Sequence, residues 1–160
     1  MIRGLMAAAC SRVAPSGGGV GAVGAYSFDD GSIPSFMSDA TTNGWSVVTD
    51  ASPDAGHTKA LRAKAITHNE TTQFTFQIST TSATSNFKVR CKISSESGSD
   101  YFRVLIDGTE KIKIAGNGAG YSEFPVSVTA GVHTVIFRYS KDYSVSTGFD
   151  TIFISLVTIA

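Results

Sequence analysis

Acidic side chains gather in two predicted loops of the chain. Glu96 and Asp100 stand in one turn, while Asp142 and Asp150 stand in a long loop that begins at Lys141. Carboxylates brought to one end of a fold can hold a calcium ion together with carbonyl oxygens. The competing interpretation is structural, with Lys141 paired to a carboxylate and the aspartates capping backbone N–H groups. These residues lack the regular spacing of a calcium loop, so we predict the structural cluster, keep calcium as the alternative, and predict no other metal or cofactor.

The histidines do not form a recognisable catalytic arrangement. His57, His68 and His133 are far apart in the sequence and show no metalloprotease spacing. The adjacent Asp29 and Asp30 lie in a predicted turn, where carboxylates usually cap backbone groups. The glycine-rich segment 116–120 lies between β segments rather than before a helix, so it is a loop and not a phosphate cradle. We therefore predict no catalytic residues and no enzymatic activity.

Tyrosine side chains are the candidate sugar contacts, because an aromatic ring with a polar tip suits a surface that is partly apolar and partly wet. A groove lined by them would indicate a carbohydrate-binding module. The candidates are Tyr101, Tyr121, Tyr139 and Tyr143.

Three basic residues, Lys88, Arg90 and Lys92, alternate with apolar residues between positions 87 and 93. This alternation predicts a strand with one dry face and one wet face. Basic residues on the wet face also discourage edge-to-edge pairing of sheets. The functional alternative is a patch that binds acidic glycans.

Composition excludes several classes of protein. Thirteen Lys and Arg residues balance thirteen Asp and Glu residues, so the net charge is zero at pH 7. This excludes the strong positive field that would attract nucleic acid or an anionic membrane. A hydrophobic content of 42% supports a core and excludes disorder. No apolar run reaches the roughly 18 residues of a membrane helix, so neither nucleic acid nor membrane is a predicted partner.

The two cysteines, Cys10 and Cys91, lie far apart and exclude a disulfide framework and a cysteine-based zinc site. Cys91 alternates with Val89 and Ile93, which predicts a small buried core residue. A disulfide between the two cysteines is the minor alternative.

Period-2 alternation recurs along the chain from Tyr26 onward and predicts about eight to ten short strands. Asp107-Gly108 between two alternating runs is a strong hairpin signal. No ten-residue stretch has a helical period. Short, evenly spaced strands of this kind predict an all-β jelly-roll sandwich. The alternating segments lie around Trp45–Thr49, Leu61–Ala65, Phe74–Ile78, Phe87–Ile93, Phe102–Ile106, Ile112–Ile114, Val132–Tyr139 and Thr151–Ile159.

The first 24 residues differ from the rest. They are rich in Gly and Ala and cannot form an autonomous fold, whereas residues 25–160 form the predicted sandwich domain. The apolar run 5–9 is shorter than the roughly 7–15 residues of a secretion signal, so export is not expected. We predict an extended arm that anchors the protein to neighbouring proteins; the alternative is an arm that folds back along its own sandwich. Its apolar contacts would be Ile2, Leu5, Met6, Val13, Val20 and Val23.

Two longer motifs carry a resemblance to a known fold family. Residues 94–108 read SSESGSDYFRVLIDG, and residues 130–142 read AGVHTVIFRYSKD, continuing to GFD at 148–150. The opening FDDGSIP at 28–34 also fits, and GHTKALR at 56–62 fits more loosely. Together these segments resemble concanavalin-like or MAM-like jelly-roll modules of bacteriophage structural proteins and bacterial surface proteins.

The resemblance spans about residues 26–158 and implies the fold far more than the function. Relatives often carry consecutive aromatic residues where this chain has Lys88, Arg90 and Lys92, and a tryptophan near Tyr121. Both differences reduce the outward aromatic surface on which sugars stack.

A sandwich without a catalytic site, preceded by a Gly-rich arm, predicts a virion structural protein of a bacteriophage, assembled in the host cytoplasm. Capsid decoration, neck or tail fibre, and baseplate attachment are equally compatible with it. Its expected partners are other virion proteins, bound through the arm, and further copies of itself in a homo-oligomer. The alternative is a carbohydrate-binding or adhesion module that recognises host-surface glycans.

Overall fold

The chain folds as a β-sandwich of two sheets, which confirms the predicted fold class. A computed structural model describes residues 18–160 except 82, 83, 85, 119 and 145–147. A 3-10 turn, Ser35–Met37, and a short helix α1, Asp39–Thr42, interrupt the strands. The strands are β1 Val20–Gly21, β2 Gly24–Ser27, β3 Ser46–Thr49, β4 Lys59–Arg62, β5 Thr71–Thr80, β6 Phe87–Ser94, β7 Tyr101–Ile106, β8 Thr109–Ile114, β9 Ser122–Val126, β10 Gly131–Ser140 and β11 Thr151–Ile159.

The first sheet, here called sheet A, has the strand order β1-β5-β10-β7-β8. The second, sheet B, has the order β3-β4-β11-β6-β9, with β2 also paired to β11. All pairs are antiparallel except the short parallel contact between β1 and β5. Since successive side chains in a strand point to opposite faces, each sheet has one face on the core and one face outside.

Aromatic rings form the centre of the core between the sheets. Phe74 and Phe76 of β5 meet Phe137 of β10 edge-on, with ring centroids 5.5 and 5.0 Å apart. Phe102 of β7 contacts the same Phe137 ring at 5.6 Å. Cys91 of β6 is 2% exposed, as predicted, and burial raises the pKa of its thiol. Cys10 lies outside the described residues.

The β7–β8 hairpin has the tight turn that Asp107-Gly108 predicts. Both residues have positive φ, 50° for Asp107 and 80° for Gly108, as a two-residue type I′ turn requires. The Asp107 carboxylate also accepts a hydrogen bond from the Thr134 N–H at 2.9 Å, which ties the turn to β10.

Sequence analysis missed the strands β2 and β9 and the helical segment 35–42. The sequence gives no strand signal for β9 because it contains Pro125, and proline is rare in strands. β9 pairs with β6 at the edge of the sheet, where a proline is tolerated. The helical segment is too short to show a period, although it buries Phe36, Met37 and Ala40.

The described end of the predicted arm lies on this chain's own sheet. Val20 and Gly21 pair with Gln77 and Ile78 of β5. A Cβ at Gly21 would lie 2.7 Å from the Phe36 ring, so glycine permits this approach. Val20 and Val23 are 45% and 55% exposed. The boundary after residue 24 stays a prediction, and the other proposed arm contacts, Ile2, Leu5, Met6 and Val13, lie outside the described residues.

No helix within the described part of the chain is both long enough and apolar enough to cross a membrane.

Candidate functional site

A row of polar side chains crosses the outer face of sheet A. Cross-strand pairing places Arg138 of β10 opposite Gln73 of β5 on one side and opposite Arg103 of β7 on the other. Arg103 is in turn opposite Lys113 of β8. Period-2 alternation directs these residues outward, because their strand neighbours fill the core. We call Gln73, Arg138, Arg103 and Lys113 the sheet A row.

Hydrogen bonds hold the two arginines of the row in place. Arg138 Nε donates to Gln73 Oε1 at 2.7 Å, and an Arg103 guanidinium N–H donates to Ser140 Oγ at 2.6 Å. Arg103 Nε also lies 3.2 Å from Glu110 Oε2, on a carboxylate that is 45% exposed. The guanidinium groups are therefore oriented before any ligand arrives.

Tyr101 supports the same row from β7. The Arg103 guanidinium carbon lies 4.7 Å from its ring centroid, and Lys113 Nζ lies 4.2 Å from it. Its hydroxyl donates to the Gly98 carbonyl at 2.8 Å. These cation–π contacts fix the cations over the sheet, so Tyr101 acts here as a support for charged groups.

Charge on this face is strongly unbalanced. Lys111 and Lys113 alternate with the inward-facing Ile112, so β8 adds two outward cations to Arg103 and Arg138. Among the described outward residues of β5, β7, β8 and β10, Glu110 is the sole carboxylate. Like charges on directly opposed strand positions destabilise a sheet. Glu110 and the Tyr101 ring offset this repulsion only in part, because Glu110 is a single carboxylate beside four cations.

Sheet B has its own basic row, Lys88, Arg90 and Lys92, and the predicted wet face is wrong at Lys92, whereas Lys88 and Arg90 are half-exposed. Lys92 is only 7% exposed. Its ammonium donates to Asp50 Oδ2 at 2.6 Å and to the Ser52 carbonyl at 2.9 Å. The loop after β3 folds over this part of β6 and supplies both partners.

Arg90 and Lys88 also have carboxylate partners, which lie in the loop after β3 for Arg90 and on the neighbouring strand β9 for Lys88. Arg90 makes a two-pronged ion pair with the buried Asp54, one prong at 2.7 Å, and Lys88 lies 3.4 Å from Glu123. The Arg90 hydrogen bond lowers the pKa of Asp54 despite burial. Burial raises the pKa of Asp50, but hydrogen bonds from Lys92 and Tyr121 outweigh it, so that pKa also lies below its usual value.

The structure brings together the predicted acidic cluster. Lys141 and Asp100 are buried, and Lys141 Nζ pairs with Asp100 at 3.1 Å and with Asp150. Burial lowers the pKa of Lys141, but the hydrogen bonds to Asp150 and Asp100 outweigh it and raise that pKa. The Asp142 N–H donates to the other Asp100 oxygen at 3.0 Å. These contacts match the structural interpretation.

Calcium at this cluster stays the untested alternative. One carboxylate oxygen each from Glu96, Asp100 and Asp142 lies within 4.8 Å of the others. Glu96 Oε2 is buried and accepts no hydrogen bond in the described part of the chain, which favours a cation. Lys141 already supplies a cation to Asp100, which argues the other way.

The four candidate tyrosines have separate environments. Tyr139 is 0% exposed because it points inward from β10, so its prediction as a glycan contact is wrong. Tyr121 donates its hydroxyl to Asp50 at 2.6 Å, and burial raises its pKa. Tyr143 is 77% exposed in the loop after β10. Tyr101 belongs to the sheet A surface described above.

Two histidines pair with aspartates, in contacts that hold loops. His57 Nδ1 lies 2.6 Å from Asp29 Oδ2, and this hydrogen bond lowers the pKa of Asp29 to about 2. Asp29 also accepts the Thr58 N–H at 2.8 Å. His133 Nδ1 lies 2.7 Å from Asp107 Oδ2 at the β7–β8 turn. Because the same carboxylates accept backbone amides, each pair works as a clamp between loops.

Sequence reasoning did not identify the sheet A row. Alternation alone marked Arg103 and Lys113 as outward residues of their strands. It could not show that β10 lies between β5 and β7, since that order depends on a long connection. Arg138 was therefore not associated with Arg103.

No protein-family model matches the chain, and no curated protein matches it. Solved structures do match in fold. The secreted serine protease VesC from Vibrio cholerae aligns with a TM-score of 0.52 and 18% identity, over 80% of this chain and 27% of that one. A cycloisomaltooligosaccharide glucanotransferase from a Paenibacillus species, complexed with cycloisomaltoheptaose, aligns with a TM-score of 0.47 and 16% identity. The alignment covers 88% of this chain and 18% of that one.

A family 35 carbohydrate-binding module, CBM35 from Paenibacillus barcinonensis, aligns with a TM-score of 0.45 and 13% identity, over 86% of this chain and 98% of that module. The chain thus spans a small part of the protease and the glucanotransferase. At these identities the likeness defines a class by architecture alone, the β-sandwich modules.

Proposed function

We propose that this chain is a non-catalytic carbohydrate-binding module and that the outer face of sheet A is its binding surface. The observation that carries this function is the sheet A row with Tyr101. These polar side chains are half-buried or exposed on an outer sheet face, and no loop described here covers that face with carboxylates. Hydrogen bonds orient both arginines, and the Tyr101 ring also contacts Arg103. The surface supports this function, whereas a β-sandwich alone serves many functions.

Sugar hydroxyls are both donors and acceptors, and planar side chains suit pairs of them. Arg138 and Arg103 each present several N–H donors in a fixed fork. Gln73 adds an amide group, and Ser140 adds a hydroxyl beside Arg103. Because the arginines already have partners that fix their orientation, their side chains lose little further conformational entropy when a ligand binds.

The outer face of a sheet suits an extended ligand. The sheet A row crosses four neighbouring strands, which lie about 4.8 Å apart. A polysaccharide chain lying across the strands could contact each position in turn. The opposite outer surface is less suitable, since Arg90 and Lys92 on β6 have their donors engaged by this chain's own carboxylates.

A bacteriophage structural role remains the competing proposal, and glycan binding has the stronger support. The anchoring role was assigned chiefly to residues outside the described part of the chain. Val20 and Gly21 contact this chain's own sheet. An adhesive virion protein and a glycan-binding module are also compatible with each other.

Binding to immobilised polysaccharides tests the proposed function. The wild-type protein should bind at least one polysaccharide of a mixed neutral and acidic panel with saturation. The double variant Arg103→Ala/Arg138→Ala should bind it at least about tenfold more weakly, since each arginine supplies charge-strengthened hydrogen bonds. Lys88→Ala, on the other sheet, is the matched control and should bind as the wild type does. Saturable binding by none of the panel, or equal binding by the double variant, would contradict the proposed function.

A further inference from the structure

We infer that the ligand of the sheet A row is an anionic polysaccharide, with carboxylate or sulfate groups recurring along its chain. This inference rests on the proposed function and names its ligand class. The observation behind it is the charge of the surface rather than its capacity for hydrogen bonding. Among the described outward positions of β5, β7, β8 and β10, four cations, Arg103, Lys111, Lys113 and Arg138, stand beside one carboxylate, Glu110, which pairs with Arg103.

The missing counter-charges are specific to this sheet. In sheet B each member of the basic row has a carboxylate partner within this chain. In sheet A, no ion pair to Arg138, Lys111 or Lys113 occurs among the described residues. An anionic ligand would offset repulsion that the folded protein otherwise retains.

Glu110 shows how a ligand anion can engage this surface. Its Oε2 lies 3.2 Å from Arg103 Nε, and the side chain is 45% exposed. A ligand carboxylate or sulfate could take the same donor and leave Glu110 in solvent. Arginine forks match both groups, because each presents two oxygens to two parallel N–H bonds.

The arrangement favours a polysaccharide over single-stranded nucleic acid. Proteins that bind single strands combine cations with aromatic rings on which bases stack. Tyr101 is the single aromatic residue among the described outward positions of β5, β7, β8 and β10. Two cations already contact its ring, so it is not available for a base to stack on. The remaining outward positions of β5 are Thr71, Thr75, Gln77 and Ser79, which present hydroxyl and amide groups to sugar hydroxyls.

Titration with matched polymers tests the ligand class. Polygalacturonate and its fully methyl-esterified form share a backbone, and esterification removes the charge. Dextran sulfate and dextran make the same comparison for sulfate. We expect binding to at least one charged polymer, at least about tenfold weaker binding to its neutral partner, and weakening with added salt. The pair that responds shows which anion the surface selects.

Variants of the full chain place the binding on sheet A. Arg138→Gln and Lys113→Gln should each weaken binding to the charged polymer several-fold, whereas Lys88→Gln, the charge-matched control on sheet B, should not. Glu110→Gln should strengthen binding, because it removes a competing carboxylate from Arg103. A residue with a purely structural role would not produce this gain.

Three other outcomes of these titrations would contradict the anionic ligand class. Equal affinity for a charged polymer and its neutral partner would overturn the anionic class and leave carbohydrate binding standing. Binding to none of the four polymers would overturn the anionic class, and the mixed panel described above would then decide the proposed function separately. Equal or tighter binding of oligo-dT would show that the row recognises charge without selecting polysaccharide.

Discussion

The two sheets carry similar rows of basic residues, but these rows differ in whether the chain supplies carboxylate partners for them. On sheet B, Lys92 lies beneath the loop after β3, and its charge is balanced by Asp50. On sheet A, Arg138 has a glutamine as its partner and no carboxylate among the described residues. Alternation marks both rows as outward-facing. The difference comes mainly from one loop, because the segment after β3 brings carboxylates to Lys92 and Arg90, whereas no described loop does so for Arg138.

Burial also separates the energetic roles of the two rows. A buried ion pair contributes modestly to stability while intact, because desolvation opposes the Coulomb gain. Removing one partner leaves an uncompensated buried charge and is costly. An exposed cation has water as its alternative partner, so its removal changes stability little. Stability measurements can therefore test the comparison apart from any ligand.

The largest effect is expected for Asp50→Ala. It leaves the Lys92 ammonium buried without its carboxylate and should lower the free energy of unfolding by about 3–5 kcal/mol. Asp50→Ala/Lys92→Met, which removes both charges, should recover part of that loss. Arg138→Met on sheet A should change the free energy of unfolding by less than about 0.5 kcal/mol. Urea unfolding measures all three, and a loss for Arg138→Met as large as that for Asp50→Ala would break the comparison.

Lowering the pH should weaken the stabilising contacts of sheet B before those of sheet A. The folded-state pKa values of Asp50 and Asp54 are lowered, so these carboxylates add stability above the unfolded aspartate pKa of about 3.9. That stability is lost as pH falls through their folded values. The double variant Asp50→Asn/Asp54→Asn should show a flatter decline of Tm below about pH 4. Arg103→Gln should decline in parallel with the wild type, and a flattened profile for Arg103→Gln would place the acid-sensitive contacts on the wrong sheet.

A smaller effect is expected at the hairpin that carries Arg103 and Lys113. His133 Nδ1 faces Asp107, and its Nε2 lies 2.7 Å from the Thr129 carbonyl. Both partners only accept, so both contacts are hydrogen bonds when the ring is protonated. Burial lowers the pKa of His133, but the hydrogen bonds to Asp107 and Thr129 outweigh it, and that pKa is raised.

The sign of the pH effect follows from the raised pKa. The clamp adds stability below the unfolded histidine pKa of about 6.5, and this stability disappears as pH rises through the folded value. His133→Gln should therefore cost about 1 kcal/mol at pH 5 and less at pH 9. Thermal unfolding at both pH values measures this difference. A cost that is equal at the two values, or larger at pH 9, would show that the protonated ring is not what holds the turn.

The sequence predicts the sandwich well because its signals are local. Alternation around Phe74, Phe102 and Phe137 defines inward faces without knowledge of strand order, and Asp107-Gly108 fixes one hairpin by backbone conformation alone. The binding surface depends on which strands are neighbours. Arg103 and Arg138 lie 35 positions apart and meet because β7 pairs with β10.

The alternation pattern of a sequence also does not show whether a loop buries an outward-facing residue. Tyr139 was assigned to the surface although its alternation with Phe137 places it inside. Lys92 was assigned to solvent because nothing near it in sequence indicates that the segment containing Asp50 returns over β6. In contrast, the acidic cluster was predictable, since Glu96, Asp100 and Asp142 stand in loops that the antiparallel topology brings to one end.

The smallest effect is expected when calcium is added to the wild-type protein, because the acidic cluster, like the covered part of sheet B, already contains both members of its ion pairs. Lys141 pairs with Asp100 and Asp150 in the wild type. Millimolar calcium or a chelator should therefore leave Tm almost unchanged, because ligand stabilisation requires binding that the ammonium already opposes. Lys141→Met removes this cation and leaves the buried Asp100 charge, so the variant should be destabilised and should regain stability when calcium is added. A rise of several degrees in wild-type Tm with calcium, reversed by the chelator, would show that the unpartnered Glu96 oxygen outweighs Lys141 and that the cluster is a metal site.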